Sequence, residues 1–177
     1  MKYLIVIILP SEINHKIELI QQKYKNDHWN IALPPHITLM PPAQAILPSE
    51  KAIKIIKEAA HKIKKFEIEI TDVGFFCNYY HTIYITVKSN PKLNALYKKI
   101  ISSADKIGKI EGAYKNFNFI PHITLSNDLT KEEFNQRYPE IQKTAFNSKF
   151  ICNKVLLFAK NDNQQKYQAV GEVKLGE

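Results

Sequence analysis

The chain has 177 residues, 45% of them hydrophobic, 24% charged and only five glycines, enough apolar residue for one buried core and the wrong composition for a disordered or fibrous protein. Its net charge of +8 fits a polyanionic partner, yet Arg137 is the sole arginine among 25 basic residues, and phosphate contacts favour the arginine fork, so solvated lysine faces are the plainer account. Cys77 and Cys152 make neither a disulfide framework nor a zinc motif, and no apolar run approaches the roughly 20 residues of a spanning helix.

The opening run Tyr3–Leu9 is β-branched and closed by Pro10, which predicts a strand buried on both faces. It superficially resembles a signal peptide, but no small-residue cleavage site follows, and a cytoplasmic, monomeric protein without a membrane partner is expected. Ser11 is expected to cap a helix running to about Lys25, on which Ile13, Ile17, Leu19 and Ile20 give a partly regular apolar stripe. After a loop over Asn26 to Asn30, Pro34-Pro35 leads extended into His36-Ile37-Thr38-Leu39, because a residue before proline is pushed toward β geometry. Met40-Pro41-Pro42 is expected to end that strand.

Pro48-Ser49-Glu50 opens a second helix with Ile53, Ile56, Ala60 and Ile63 on one face. Phe66–Thr71 and His81–Val87 alternate as a hairpin across a loop carrying Cys77, Asn78 and Tyr79. Asn90-Pro91 opens a third helix ending near Gly108. Lys109 to Asn118 reads as loop, and Phe119-Ile120-Pro121 leads extended into His122-Ile123-Thr124-Leu125. Thr130 with Glu133 forms a capping box for a fourth helix. Strands around Phe150–Phe158 and Tyr167–Val173 close the chain as a second hairpin.

The element order of the first half thus repeats in the second, around two identical His-Ile-Thr-Leu tetrapeptides, each directly after proline. A duplication into two facing lobes is the expected meaning, with residues 1–177 a single domain. On a strand, i and i+2 share a face, so His36 with Thr38, and His122 with Thr124, point away from their isoleucine and leucine neighbours. If the polar faces meet, two imidazoles titrating near pH 6.5 supply a general base and a general acid. Two hydroxyls can then hold the non-bridging oxygens of a phosphodiester. Neither copy has a neighbouring carboxylate, cysteine or second histidine, so no metal and no cofactor is expected. A lone His-x-Thr on a strand is more often packing than chemistry; the identical pair carries the reading.

These motifs resemble the two-histidine (2H) phosphoesterase superfamily, which includes the bacterial RNA 2',3'-cyclic phosphodiesterases also called 2'-5' RNA ligases. Its signature is two copies of His-x-Thr/Ser-x about 80 residues apart, and the segment Asp72-Val-Gly-Phe-Phe76 is similar to its strand exit before a hairpin. The resemblance implies an α/β (α+β), bilobal pseudo-twofold fold: two lobes, each an antiparallel sheet with helices packed outside, around a central cleft. It also implies metal-independent cleavage of a 2',3'-cyclic or 2'-5' phosphodiester of a nucleotide or RNA end. His36 and His122 would be the acid–base pair, and Thr38 and Thr124 would hold the phosphate. Many relatives carry a basic residue soon after the second motif, where this chain reads Leu125-Ser126-Asn127-Asp128.

His81 is expected to have a surface or packing role, and His15, His28 and His61 to lie on helix or loop surfaces. Tyr84 shares a face with Thr82 and Thr86; it is either a substrate contact stacking on a base or a cross-strand aromatic pair. Phe76, Tyr79, Tyr80 and Trp29 are further stacking candidates, and Tyr114 and Lys115 lie in a loop able to cover the cleft. A non-catalytic RNA-binding module is the alternative function.

Overall fold

The computed structural model describes residues 1–77, 79–110 and 119–176. In chain order the elements are β1 (Lys2–Ile8), α1 (Ser11–Lys23), β2 (His36–Ala45), α2 (Ser49–Ala60), β3 (Phe66–Cys77), β4 (His81–Val87) and α3 (Pro91–Ser102), followed by α4 (Ala104–Ile107), β5 (Gly108–Ile110), β6 (His122–Leu129), α5 (Lys131–Ile141), β7 (Ser148–Cys152), β8 (Lys154–Lys160) and β9 (Gln168–Lys174). The strands form two antiparallel sheets, ordered β5-β2-β1-β8-β9 and β6-β4-β3-β7.

Strand alternation decides where the core lies. Tyr3, Ile5, Ile7, Ile37 and Leu39 point from the first sheet, and Ile68, Ile70, Ile83, Ile85, Ile123 and Leu125 from the second, into one buried cluster that also takes Ile17, Ile56, Leu93, Leu96 and Ile100 from the helices. Each fully buried aliphatic side chain contributes about 1.5–3 kcal/mol relative to an exposed one, so this shared layer welds the sheets together. The opposite face of the first sheet carries a smaller apolar cluster of Leu4, Val6 and Phe158. Gly171 on β9 leaves room for α2, since a Cβ there would collide with Ile53 Cδ1.

Several local expectations change. Ser11 does not cap α1 by its side chain; Pro10 occupies the cap position and Ser11 is the first helical residue. Met40-Pro41-Pro42 does not end β2, which continues to Ala45. Proline has no N–H for the ladder, and the strand accommodates two of them by slipping register: Ile5 pairs with Met40, but Tyr3 pairs with Ala43. β3 likewise runs on to Cys77 through an irregularity between Ile70 and Val73, absorbing Asp72–Phe76. Cys77 pairs with His81 in the ladder rather than lying in the hairpin loop, and Asn78 lies outside the described residues.

The third helix breaks at Ser103, and Gly108–Ile110 is a short strand pairing with the end of β2, not loop. Gly108 is needed there, since a Cβ would sit 2.8 Å from the Gln44 carbonyl oxygen. Phe150–Phe158 is two strands in different sheets, separated by Asn153 alone. The two lobes are therefore not the two sequential halves: β3 and β4 pair in the sheet of β6, while β8 and β9 pair in the sheet of β1 and β2. The capping box at Thr130 and Glu133 is formed as expected.

Candidate active site

His36 opens β2 and His122 opens β6. With Ile37, Leu39, Ile123 and Leu125 fully buried, the pleat turns His36, Thr38, His122 and Thr124 to the other face of each strand, where all four are half-buried. His36 and Thr38 lie opposite Ile8 and Val6; His122 and Thr124 lie opposite Thr86 and Tyr84. β2 and β6 touch although they belong to different sheets, and a charge on His122 acts on the His36 ring. The structure thus brings the two imidazoles to one place.

Their settings match in a way the sequence had not announced. His36 Nδ1 lies 2.8 Å from the Pro34 carbonyl oxygen and His122 Nδ1 lies 2.7 Å from that of Ile120. A carbonyl only accepts, so in each ring Nδ1 carries the proton and donates it. Nε2 is left as the free acceptor of a neutral ring or the donor of a charged one. The available signal was the repeated Pro-His step: Pro35 and Pro121, with φ held near −65°, restrict the path between carbonyl and ring.

Burial holds both imidazoles below their ordinary pKa; donation to the carbonyl partly opposes it, and the facing His122 lowers His36 further. Near neutrality both rings of the free protein are neutral. An anion placed between two such rings would favour protonation of one of them. Among the described residues no three His, Cys, Asp or Glu side chains are grouped to hold a metal ion.

Buried polar residues that sequence reasoning passed over brace the second motif. Gln21, buried on α1, donates to the Thr124 carbonyl at 2.8 Å. Asn26 donates to the Asn127 carbonyl at 2.9 Å and accepts from the backbone N–H of His28 and Trp29. Ser126 donates to the Tyr24 carbonyl, which also accepts from Arg137. The signal for Gln21 is a polar residue four positions after Ile17, inside an apolar stripe. Arg137 also pairs with Glu133 at 3.1 Å, so the one arginine is committed to structure. Asn127 accepts from Thr82, and Asp128 adopts a left-handed φ of 56°; these neutral and acidic groups stand where many relatives carry a base.

Tyr84 packs against Phe76, ring centroids 4.3 Å apart, and against His122 at 5.2 Å. His81 stacks on Phe134 at 4.8 Å and has a packing role. His15, His28 and His61 are exposed. Trp29 is half-buried, while Tyr79 and Tyr80 are exposed and pack on each other at 4.9 Å. Tyr114 and Lys115 lie outside the described residues.

Against known proteins, the family model described as the 2'-5' RNA ligase superfamily matches residues 9–164. A protein of Geobacillus kaustophilus, provisionally named a phosphoesterase, is 31% identical over 143 residues, 80% of this chain and 78% of its own length. One from Oceanobacillus iheyensis, also provisionally named a phosphoesterase, is 27% identical over 93% of this chain and 92% of its own. Among solved structures, E. coli LigT complexed with 3'-AMP aligns over 99% of this chain and 98% of its own with a TM-score of 0.70 at 19% identity. A Thermus thermophilus protein aligns over the whole of both chains at 0.67 and 18%. LigT is also known complexed with NADP+ and with ATP. At such identities the structures establish a common fold.

Proposed function

We propose that this chain, which belongs to the 2'-5' RNA ligase superfamily, is the phosphoesterase its relatives' names indicate in a particular form: a metal-independent phosphodiesterase acting on a 2',3'-cyclic or 2'-5' phosphodiester of a nucleotide or RNA end. One observation supports the reading: two identical His-x-Thr strands from different sheets touch, each with its imidazole Nδ1 tied to the carbonyl two residues earlier. In this mechanism one of His36 and His122, neutral, takes the proton of the attacking water or ribose hydroxyl through Nε2. The other, charged, delivers the Nε2 proton to the departing oxygen. Thr38 and Thr124 donate to the non-bridging oxygens as charge builds there. Tyr84 borders the same face as a candidate contact for the nucleoside. The nucleotides bound by LigT support a nucleotide as the substrate class.

The test is turnover of 2',3'-cyclic nucleotides and 2'-5' oligonucleotides in EDTA. Each proton transfer is worth about 100- to 10,000-fold, so His36→Ala and His122→Ala should each lose at least that much. Full activity in the double variant would end the mechanism. RNA binding without turnover by the wild type would turn the reading to a recognition module.

A further inference from the structure

We propose that Phe76 is a positioning residue for His122, held in place by Tyr84, and that Gly74 is the gap that seats the pair. The Phe76 ring stands nearly perpendicular to the His122 imidazole, with centroids 5.0 Å apart and planes at 84°. Tyr84 approaches the same imidazole at 5.2 Å and 56°, and the two rings pack on each other at 4.3 Å and 33°. His122 is therefore walled by two aromatic rings that also fix one another.

Gly74 explains how the wall fits. It pairs directly with Tyr84 across the β3–β4 ladder, and a Cβ there would come 2.7 Å from Tyr84 Cε2, 2.8 Å from Cζ and 2.9 Å from the hydroxyl oxygen. Tyr84 thus lies flat across the glycine backbone, a close approach that any side chain at position 74 would prevent. Phe76, two residues on and on the same face, is then the ring that Tyr84 leans against.

The physical need is rotational. A single hydrogen bond from Nδ1 to the Ile120 carbonyl leaves the imidazole free to swing about that bond, carrying Nε2 with it. Rings on its flanks remove the swing, and offset or edge-on aromatic packing contributes about 0.5–1.5 kcal/mol per pair beyond area burial. His36 has the same kind of hydrogen bond but lies opposite aliphatic Ile8. The two motifs, alike in hydrogen bonding, therefore differ across the ladder, and it is His122 that two aromatic rings flank. Among the described residues, the Tyr84 phenol on β4 packs against His122 and the His36 imidazole is close enough to feel its charge.

The kinetic consequence rests on the proposed acid–base reading; the structural one does not. Proton NMR titration of His36 and His122 in wild type, Phe76→Leu and Gly74→Ala reads the setting of each ring with no substrate present. In both variants the His122 midpoint should rise toward that of a free imidazole as water reaches the ring, while an unchanged pattern of dispersed methyl resonances reports an intact fold. With a 2',3'-cyclic nucleotide, kcat should fall about 10- to 100-fold in both variants, and in Phe76→Leu, which keeps the Tyr84 side chain, with little change in KM, the signature of a misplaced reacting group. Phe76→Tyr should restore both readouts. The proposal is overturned by an unmoved His122 midpoint in the folded variants, or by a raised KM at unchanged kcat, which would make the rings a substrate-stacking surface. If Phe76→Leu does not fold, Gly74→Ala, which keeps both rings and displaces them, decides alone. Absence of turnover in a wild type that titrates as described would count against the phosphodiesterase reading and leave this one standing.

Discussion

Gln21 donates its side-chain amide to the Thr124 carbonyl oxygen at 2.8 Å, joining the last turns of the first helix to the strand that presents His122. The glutamine is buried at 4% exposure, one of few polar side chains so placed. The bond goes to the backbone of β6 at Thr124, so it ties that strand to α1.

Removing it should be felt twice. Gln21→Ala leaves a buried carbonyl without its partner, a cost of about 1–3 kcal/mol, which in a chain of this length lowers the midpoint of thermal unfolding by roughly 2–4 °C per kcal/mol. Turnover should fall more than KM rises, since β6 loses its brace. Gln21→Met, which keeps the volume, should recover packing but not the hydrogen bond. Differential scanning calorimetry together with steady-state kinetics separates the two effects.

The pH dependence follows from two lowered imidazoles. In the proposed mechanism the productive form has one ring charged and one neutral, and in the free protein that form is populated between two pKa values that both lie below the ordinary one of about 6.5. The bell of kcat/KM should therefore peak on the acid side of that value. The bell of kcat should sit higher, because the bound anion favours the imidazolium. Stability carries the same sign: as pH falls through the ordinary value the unfolded chain takes up protons that the folded rings still refuse, so the fold weakens from there down to the folded pKa values. Inorganic phosphate should reduce the loss. A kcat/KM optimum above about pH 7.5, a full unit past the ordinary imidazole value, would contradict this account.

Thr38→Val and Thr124→Val keep shape and β propensity while deleting one hydroxyl each. If those hydroxyls meet the phosphate, each should lower kcat/KM about 10- to 100-fold, the range for a hydrogen bond to a charged group. The thermal midpoint should hardly change, since both side chains are half-buried and lie on the strand face away from the core. Equal activity in both variants and the wild type would remove the threonines from the mechanism.

Much of this site was legible because it is local. The i, i+2 rule placed histidine and threonine on one face of each tetrapeptide, and the isoleucine and leucine between them went to the core as alternation requires. Asn90 before Pro91, and Thr130 with Glu133, carried enough capping chemistry to locate two helix starts. What escaped notice was contributed by partners remote in sequence or by backbone. Pro41 and Pro42 read as a strand end, since the bulge that tolerates them depends on β1 across the ladder. Asn153 gave no sign that the chain changes sheets there. Gln21 and Asn26 bond to carbonyls some hundred residues away, and no pattern of side chains records where a carbonyl points.

The single-residue step at Asn153 has a mechanical meaning. β7 ends in the sheet that holds His122 and β8 begins in the sheet that holds His36, and the step is pinned by a 2.7 Å bond from the Leu175 N–H to the Asn153 carbonyl. With one residue between the two strands and a common core beneath both sheets, the chain has no length to spare for a hinge at that step.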